Sequence, residues 1–317
     1  MAIFLNKVGS ATSATASEIP AFDPASKRLY VVAASTVDIY TVSNTGTLTS
    51  VGQLAPGFTP VAGTAAPNSV AVKNGIVAVA YEVKDTATGT HQRGRVSFFN
   101  AADGSFINSV EVGFLPDMLT FTPDGKKVLV ANEGEPNENY TVDPEGSVSI
   151  IDLTNGAATA TVQEANFNAF DSQLATLRSQ GLRVIGNTST LSQDVEPEYI
   201  AVSDDGKTAA ITLQENNAIA LLDIATATIT SIVPLGLKDH SLAGNGLDAS
   251  DRDVNGTSAG GGKINIQNWP VFGMYQPDAI ASFVSGGNTF YIIANEGDAR
   301  VRPTEDGIIA GQGEGGI

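Results

Sequence analysis

One unit recurs along this chain, and its fullest copy is residues 116–153, PDMLTFTPDGKKVLVANEGEPNENYTVDPEGSVSIIDL. Pro116 opens a run with apolar residues at Met118, Leu119 and Phe121, and Thr122-Pro123-Asp124-Gly125 makes a tight turn. A second run, Lys127 to Ala131, ends at Asn132-Glu133-Gly134; after a polar loop a third, Ser147 to Leu153, closes on Thr154-Asn155-Gly156. A fourth, Ala158 to Val162, returns from that turn. Short apolar runs punctuated by Gly, Asp and Asn predict an antiparallel four-strand meander.

Four looser copies follow the same order. Pro197-Glu198 leads through Asp204-Asp205-Gly206 to Gln214-Glu215-Asn216 and a strand Ala218–Ile224. Pro277-Asp278 leads through Ser285-Gly286-Gly287 to Asn295-Glu296-Gly297. Pro67-Asn68 leads through Lys73-Asn74-Gly75 to Tyr81-Glu82, with Arg95–Asn100 as its third strand; the weakest copy starts at Ile19-Pro20, passes Asp23-Pro24 and ends its second strand near Ser35. A four-strand unit repeating at a period of roughly fifty residues predicts an all-β fold, a β-propeller of four-stranded antiparallel blades.

The repeat makes the 317 residues one domain, with blade units near 19–52, 67–112, 116–162, 197–235 and 277–317 and insertions at 163–196 and 236–276. The fifth unit lacks its third and fourth strands, so the chain reads as the N-terminal part of a ring of about seven blades, incomplete at the C-terminus. Residues 2–9, AIFLNKVG, read as a lone strand that either fits locally or closes the last blade. In the first insertion Phe170, Leu174 and Leu177 recur at helical spacing before Gly181, which predicts a short amphipathic helix over 168–180 that caps one end of the propeller or, as the alternative, covers a site. The second is rich in Gly, Asp and Asn, and its apolar stretch Trp269, Val271, Phe272 and Met274 is expected to bury itself by docking over the end where the carboxylates gather.

Charge excludes some partners. Asp and Glu number 34 against 17 Lys and Arg, a formal charge of −17 that repels nucleic acid and anionic lipid and favours cations. No run approaches the ~18 apolar residues of a membrane span, and without cysteine there is neither disulfide nor thiolate metal site. The start MAIFLNKVGS lacks the basic leader and long apolar core of a signal peptide.

Several strings, among them VLVANEGEP, EGSVSIIDL, QDVEPEYIAVSDDGKTA, LQENNAIALLDI, KDHSLAGNGLDASDRD, INIQNWPVFGMYQPDAIA and ANEGDAR, resemble the bacterial choice-of-anchor I family of surface and secreted proteins. The likeness is strong over 110–302 and loose before it. It implies a YVTN/WD40-like propeller in a secreted or cell-surface protein, and some members of the family carry an alkaline phosphatase label.

In a meander the start of the first strand and the end of the second lie at one end of the blade, and the first strand lines the channel. Asp117, Glu198 and Asp278 should therefore ring the channel mouth, with Glu82, Glu133, Glu215 and Glu296 just outside. Either these groups cap strand ends, or they bind a cation that relieves their repulsion. Asp251-x-Asp253-x-Asn255-Gly256 has the start of a calcium loop but Gly262 where its bidentate Glu belongs, so Asp248 is the nearest further ligand; the alternative is a solvated acidic turn. Calcium is the expected ion, with another divalent metal as the alternative.

Lys238, His240, Arg252 and Arg300 are the candidate catalytic cations, should the chain be a metal-dependent phosphomonoesterase. The other histidine, His91, reads as a solvated loop residue. No P-loop, G-x-S-x-G or zinc histidine cluster is present. The favoured function is a calcium-stabilised surface scaffold that binds a protein or glycan at its acidic face; the phosphatase alternative would take a phosphoester ligand there.

Overall fold

The structure, a computed structural model, describes residues 7–13, 15–137, 140–185, 190–250 and 262–296. Four successive four-stranded meanders account for most of it. The first contains β1 (Ser17–Asp23), β2 (Arg28–Ala33), β3 (Thr36–Val42) and β4 (Leu48–Leu54); the second β5 (Thr64–Lys73), β6 (Ile76–Asp85), β7 (Thr90–Asn100) and β8 (Phe106–Phe114). The third contains β9 (Pro116–Phe121), β10 (Lys127–Asn132), β11 (Ser147–Asp152) and β12 (Thr161–Asn166); the fourth β13 (Pro197–Val202), β14 (Thr208–Leu213), β15 (Ala218–Asp223) and β16 (Thr228–Pro234). Between the fourth and fifth sheets β17 (Lys238–Asp239) pairs with β18 (Phe272–Gly273), and the fifth pairs β19 (Pro277–Ser285) with β20 (Asn288–Asn295).

The turns explain why the strands break where they do. Gly125 sits at φ 72° and its N–H donates to Thr122 O, while Thr122 Oγ1 donates to Asp124 Oδ1. Ser203, Asp205 and Gly206 repeat this arrangement between β13 and β14. A hydroxyl, a carboxylate and a residue free to take positive φ close the hairpin the same way twice.

First strands are neighbours in sequence order, β1 against β5, β5 against β9, β9 against β13 and β13 against β19, which is the arrangement of propeller blades about a common hub. Facing sheets bury side chains between them. Val128 and Val130 join the core shared with the second blade, while Leu129 and Ala131 join that shared with the fourth. Burial on both faces is why β10 is a continuous apolar run instead of an alternating one. The first insertion seals the joint between blades three and four, where Phe170, Leu177, Leu182 and Leu191 complete the core.

Some boundaries differ from those read in the sequence. The 168–180 segment is a 3-10 stretch, Asn168–Gln173, followed by α1 (Leu174–Ser179), and a second short helix, α2 (Leu191–Asp194), precedes β13. The fourth strand of blade three starts later, at Thr161, because Ala157–Thr159 forms a 3-10 turn after Gly156. Lys7 to Gly9 lie in irregular backbone, and the rest of the expected 2–9 strand lies outside the described residues, as does everything after Glu296.

The second insertion departs most. Trp269 is half-buried and its Nε1 donates to Leu247 O, but Val271, Phe272 and Met274 are 44%, 65% and 45% exposed. The expected burial of this stretch does not occur. Backbone pairing holds the loop together, β17 with β18 and Leu247 with Gln267, and leaves most of the apolar side chains outside.

Candidate functional site

The same irregularity occurs near the start of all five first strands. Pairing slips between Ser17 and Pro20, Pro67 and Ser69, Pro116 and Leu119, Pro197 and Ile200, and Pro277 and Ala279. The extra residues include Glu18, Asn68, Asp117, Glu198 and Asp278. A β-bulge interrupts the ladder and re-aims a side chain, and here it does so at the hub end of every blade. Leu115 and Gln276, preceding the prolines of blades three and five, take φ of 47° and 45°, a conformation strained for any residue but glycine. Their carbonyls accept the backbone N–H of Glu133 and Glu296, so the two ends of each hairpin are tied together.

The result is a dense acidic cluster. Ligand-capable oxygens of Asp117, Glu133 and Glu198 lie within 4.8 Å of one another. Beside them a cavity of about 200 Å³ is lined by Glu133, Glu135, Glu196, Glu198, Gln214, Glu215 and Glu296. Gln214 Nε2 donates to Glu296 Oε2 at 3.2 Å, joining blades four and five across its floor.

Each triad side chain keeps some solvent contact, Glu133 and Glu198 at the cavity, and is otherwise enclosed by protein. Burial comes first in raising every one of their pKa values, and like charge adds to it. Asp117 is pushed up to about 6, with Asp278, Glu18 and Glu82 contributing repulsion. Glu198 is pushed to about 9, opposed by Asp117, Glu215, Asp278 and Glu296. Glu133 is raised well above the ordinary range by burial and then by Asp117, Glu198, Glu196 and Glu215; Asp278 is raised by burial and Glu296. Positive charge entering the mouth would favour their joint ionisation.

The model of the choice-of-anchor I domain matches residues 18–312. The chain belongs to the choice-of-anchor I family. No curated protein matches it. Among solved structures, this choice-of-anchor I domain is similar to a functionally unknown protein from Desulfotomaculum acetoxidans at 12% identity and TM-score 0.45, over 71% of this chain and 58% of that one. It is similar at 12% identity and TM-score 0.45 to the β-propeller domain of Cps50 (Swd1) from Myceliophteria thermophila, over 76% of this chain and 65% of that one. Kuenenia stuttgartiensis hydrazine synthase aligns at 16% identity and TM-score 0.37, over 88% and 80%. The domain thus spans less than two thirds of the first of these.

The choice-of-anchor I domain gathers Glu133, Glu198, Glu215 and Glu296 about the cavity with Asp117 beside Glu133 and Glu198, while Glu82 and Asp278 bear on the triad electrostatically. Asp248 sits apart in the second insertion, where its Oδ2 accepts the Asn265 N–H. Asp251, Arg252, Asp253, Asn255 and Arg300 lie outside the described residues. His240 is built into the insertion: its Nδ1 lies 2.6 Å from Asn245 O, and its ring stands where a side chain on Gly273 would be. Lys238 is half-buried in β17.

Four participants escaped the sequence reading. Glu18 lies one residue before the apparent start of blade one, yet occupies its bulge. Glu135 and Glu196 flank the named residues as Glu133-Gly134-Glu135 and Glu196-Pro197-Glu198, and this repeated Glu-x-Glu spacing was the signal that could have found them. His91 is the clearest correction, being only 6% exposed and packed between Glu82 and Glu135. The sequence reading ended the second strand at Glu82, but β6 and β7 continue to Asp85 and from Thr90, and Gly89 closes the hairpin beyond them. His91 is thus a strand residue opposite Lys84.

Proposed function

We propose that this domain is an extracellular or cell-surface binding scaffold whose acidic mouth holds a divalent cation, with calcium as the first choice. The observation that carries this reading is the Asp117/Glu133/Glu198 triad, three carboxylates from two blades with oxygens within 4.8 Å. An all-oxygen set suits a hard cation, and calcium accepts the irregular geometry and high ligand number that a ring of Asp and Glu offers. A bound ion would ionise the triad and lock blades three and four together at the hub. Family membership supports the surface location, and the negative charge favours a cationic or polar protein or glycan over nucleic acid.

The test is thermal melting of the full chain, chelated and then with millimolar Ca2+, for wild type and Glu198→Gln. Saturation at a hundred times Kd adds about 2.7 kcal/mol, on the order of 4 °C in Tm for a chain of this size. Glu198→Gln should lose most of that gain while raising the chelated protein's own Tm at pH 8. An unchanged wild-type melt would remove the cation. Hydrolysis of phosphomonoesters with Ca2+, Mg2+ or Mn2+ would replace the scaffold reading with the phosphatase one.

A further inference from the structure

His91 is a buried imidazole that the oxygen triad does not use. Its side chain is 4% exposed, and Nδ1 makes no hydrogen bond although Glu82 Oε2 is only 3.2 Å away. Nε2 points toward Glu135 Oε2 at 3.8 Å, beyond hydrogen-bonding reach. A protonated histidine clamped between two carboxylates forms charge-assisted bonds of roughly 2.7–2.9 Å. Neither contact has that geometry. Both carboxylates belong to the acidic mouth, since Glu135 lines the cavity and Glu82 bears on Asp117.

We propose that His91 and Glu135 are ligands of a second metal site, selective for a first-row transition ion such as Zn2+, with Glu82 as the carboxylate that orients the imidazole. This goes beyond the calcium reading, with which it shares the cavity but not its ligand set. Two ligand atoms each about 2.1 Å from an ion and 3.8 Å apart subtend about 130°. A shift of about 0.4 Å in the Glu135 carboxylate brings them to the tetrahedral separation near 3.4 Å. Glu135 has that freedom, its side chain being 34% exposed, whereas His91 is fixed by burial in β7. The ring would ligate through Nε2 while Nδ1–H donates to Glu82, the carboxylate–histidine–metal relay that fixes tautomer and raises ligand basicity. The remaining positions would be filled by water. The imidazole nitrogen suits Zn2+, Mn2+ or Co2+ and is a poor ligand for Ca2+, so two chemically distinct ions would be sorted at one mouth.

The chain has only two histidines, which makes the test direct. Zn2+ added to the 317-residue chain with Ca2+ present should move the His91 ring resonances and leave those of His240, assigned through His91→Gln. Glu135→Gln should weaken Zn2+ binding, read by calorimetry, at least ~10-fold, and Glu82→Gln by ~10–100-fold. His91→Gln, which takes no carboxylate from the mouth, should keep the Ca2+ thermal shift that Glu198→Gln abolishes. If His91→Gln does not fold, Glu135→Gln carries the decision. His91 resonances unmoved by Zn2+, or Glu135→Gln binding as tightly as wild type, would overturn the site and leave the calcium reading standing. Loss of the calcium shift alone would leave this site standing.

Discussion

At the residue beside each inner-strand bulge the chain trades ladder hydrogen bonds for side-chain direction. Asp117, Glu198 and Asp278 thereby converge with Glu18, and burial makes their ionisation unfavourable in the absence of a cation. The pH dependence follows with its sign. A carboxyl whose folded pKa exceeds its unfolded value, near 3.9 for Asp and 4.3 for Glu, binds more protons folded than unfolded, so stability falls as pH rises through that interval. For Asp117 the interval runs up to about 6 and for Glu198 up to about 9. Asp152 acts oppositely: Thr154 and Lys127 hold it down at about 2, and its contribution disappears only in more acidic solution. Chelated protein should therefore melt several degrees higher at pH 5 than at pH 8, and Ca2+ should flatten or reverse that slope. A chelated Tm that climbs from pH 5 to pH 8 would contradict the charges assigned to the triad.

Among the elements, the second insertion is fastened at both ends to one side chain. Asn217 is fully buried at φ 52°; its Oδ1 accepts the N–H groups of Tyr275 and Gln276 at 2.9 and 3.1 Å, and Nδ2 donates to Gly236 O at 2.7 Å. Both ends of the 236–276 insertion are thus fastened beside Glu215, at the acidic end of blade four. Asn217→Gly keeps the backbone freedom and loses the bonds, so urea unfolding should show a loss of about 1–3 kcal/mol. Asn217→Ala should add about 1–2 kcal/mol for the left-handed conformation. Equal midpoints for the two variants would mean the backbone conformation is not the constraint described.

The insertion also shows what local pattern conceals. The meanders were legible because Thr-Pro-Asp-Gly and Ser-Asp-Asp-Gly spell the turns and the runs between them match strand length. The triad was legible because each member abuts a repeated Pro or Asn. His91 and the exposure around Trp269 were not, since both depend on where hairpins stop: β6 and β7 run past Glu82, and the second insertion pairs its backbone while Val271, Phe272 and Met274 stay exposed.

For the whole molecule, 34 acidic against 17 basic residues place a negative field around a hub that is itself acidic. Two electrostatic effects are superposed and separable. The diffuse field has a Debye length of about 10 Å at 0.1 M and less at higher ionic strength, so added NaCl should raise the Tm of the chelated protein at pH 8 whether or not the triad is intact. The triad is enclosed and screened much less by mobile ions; it responds to a cation that enters and is coordinated. CaCl2 and NaCl should accordingly be compared at matched ionic strength. Wild type should melt higher in CaCl2 by the several degrees that site binding supplies, and in Glu198→Gln the two salts should give the same curve. Coincident curves for wild type would show that the mouth attracts counterions without holding one, and the hub would then owe its cohesion to the apolar layers between blades alone.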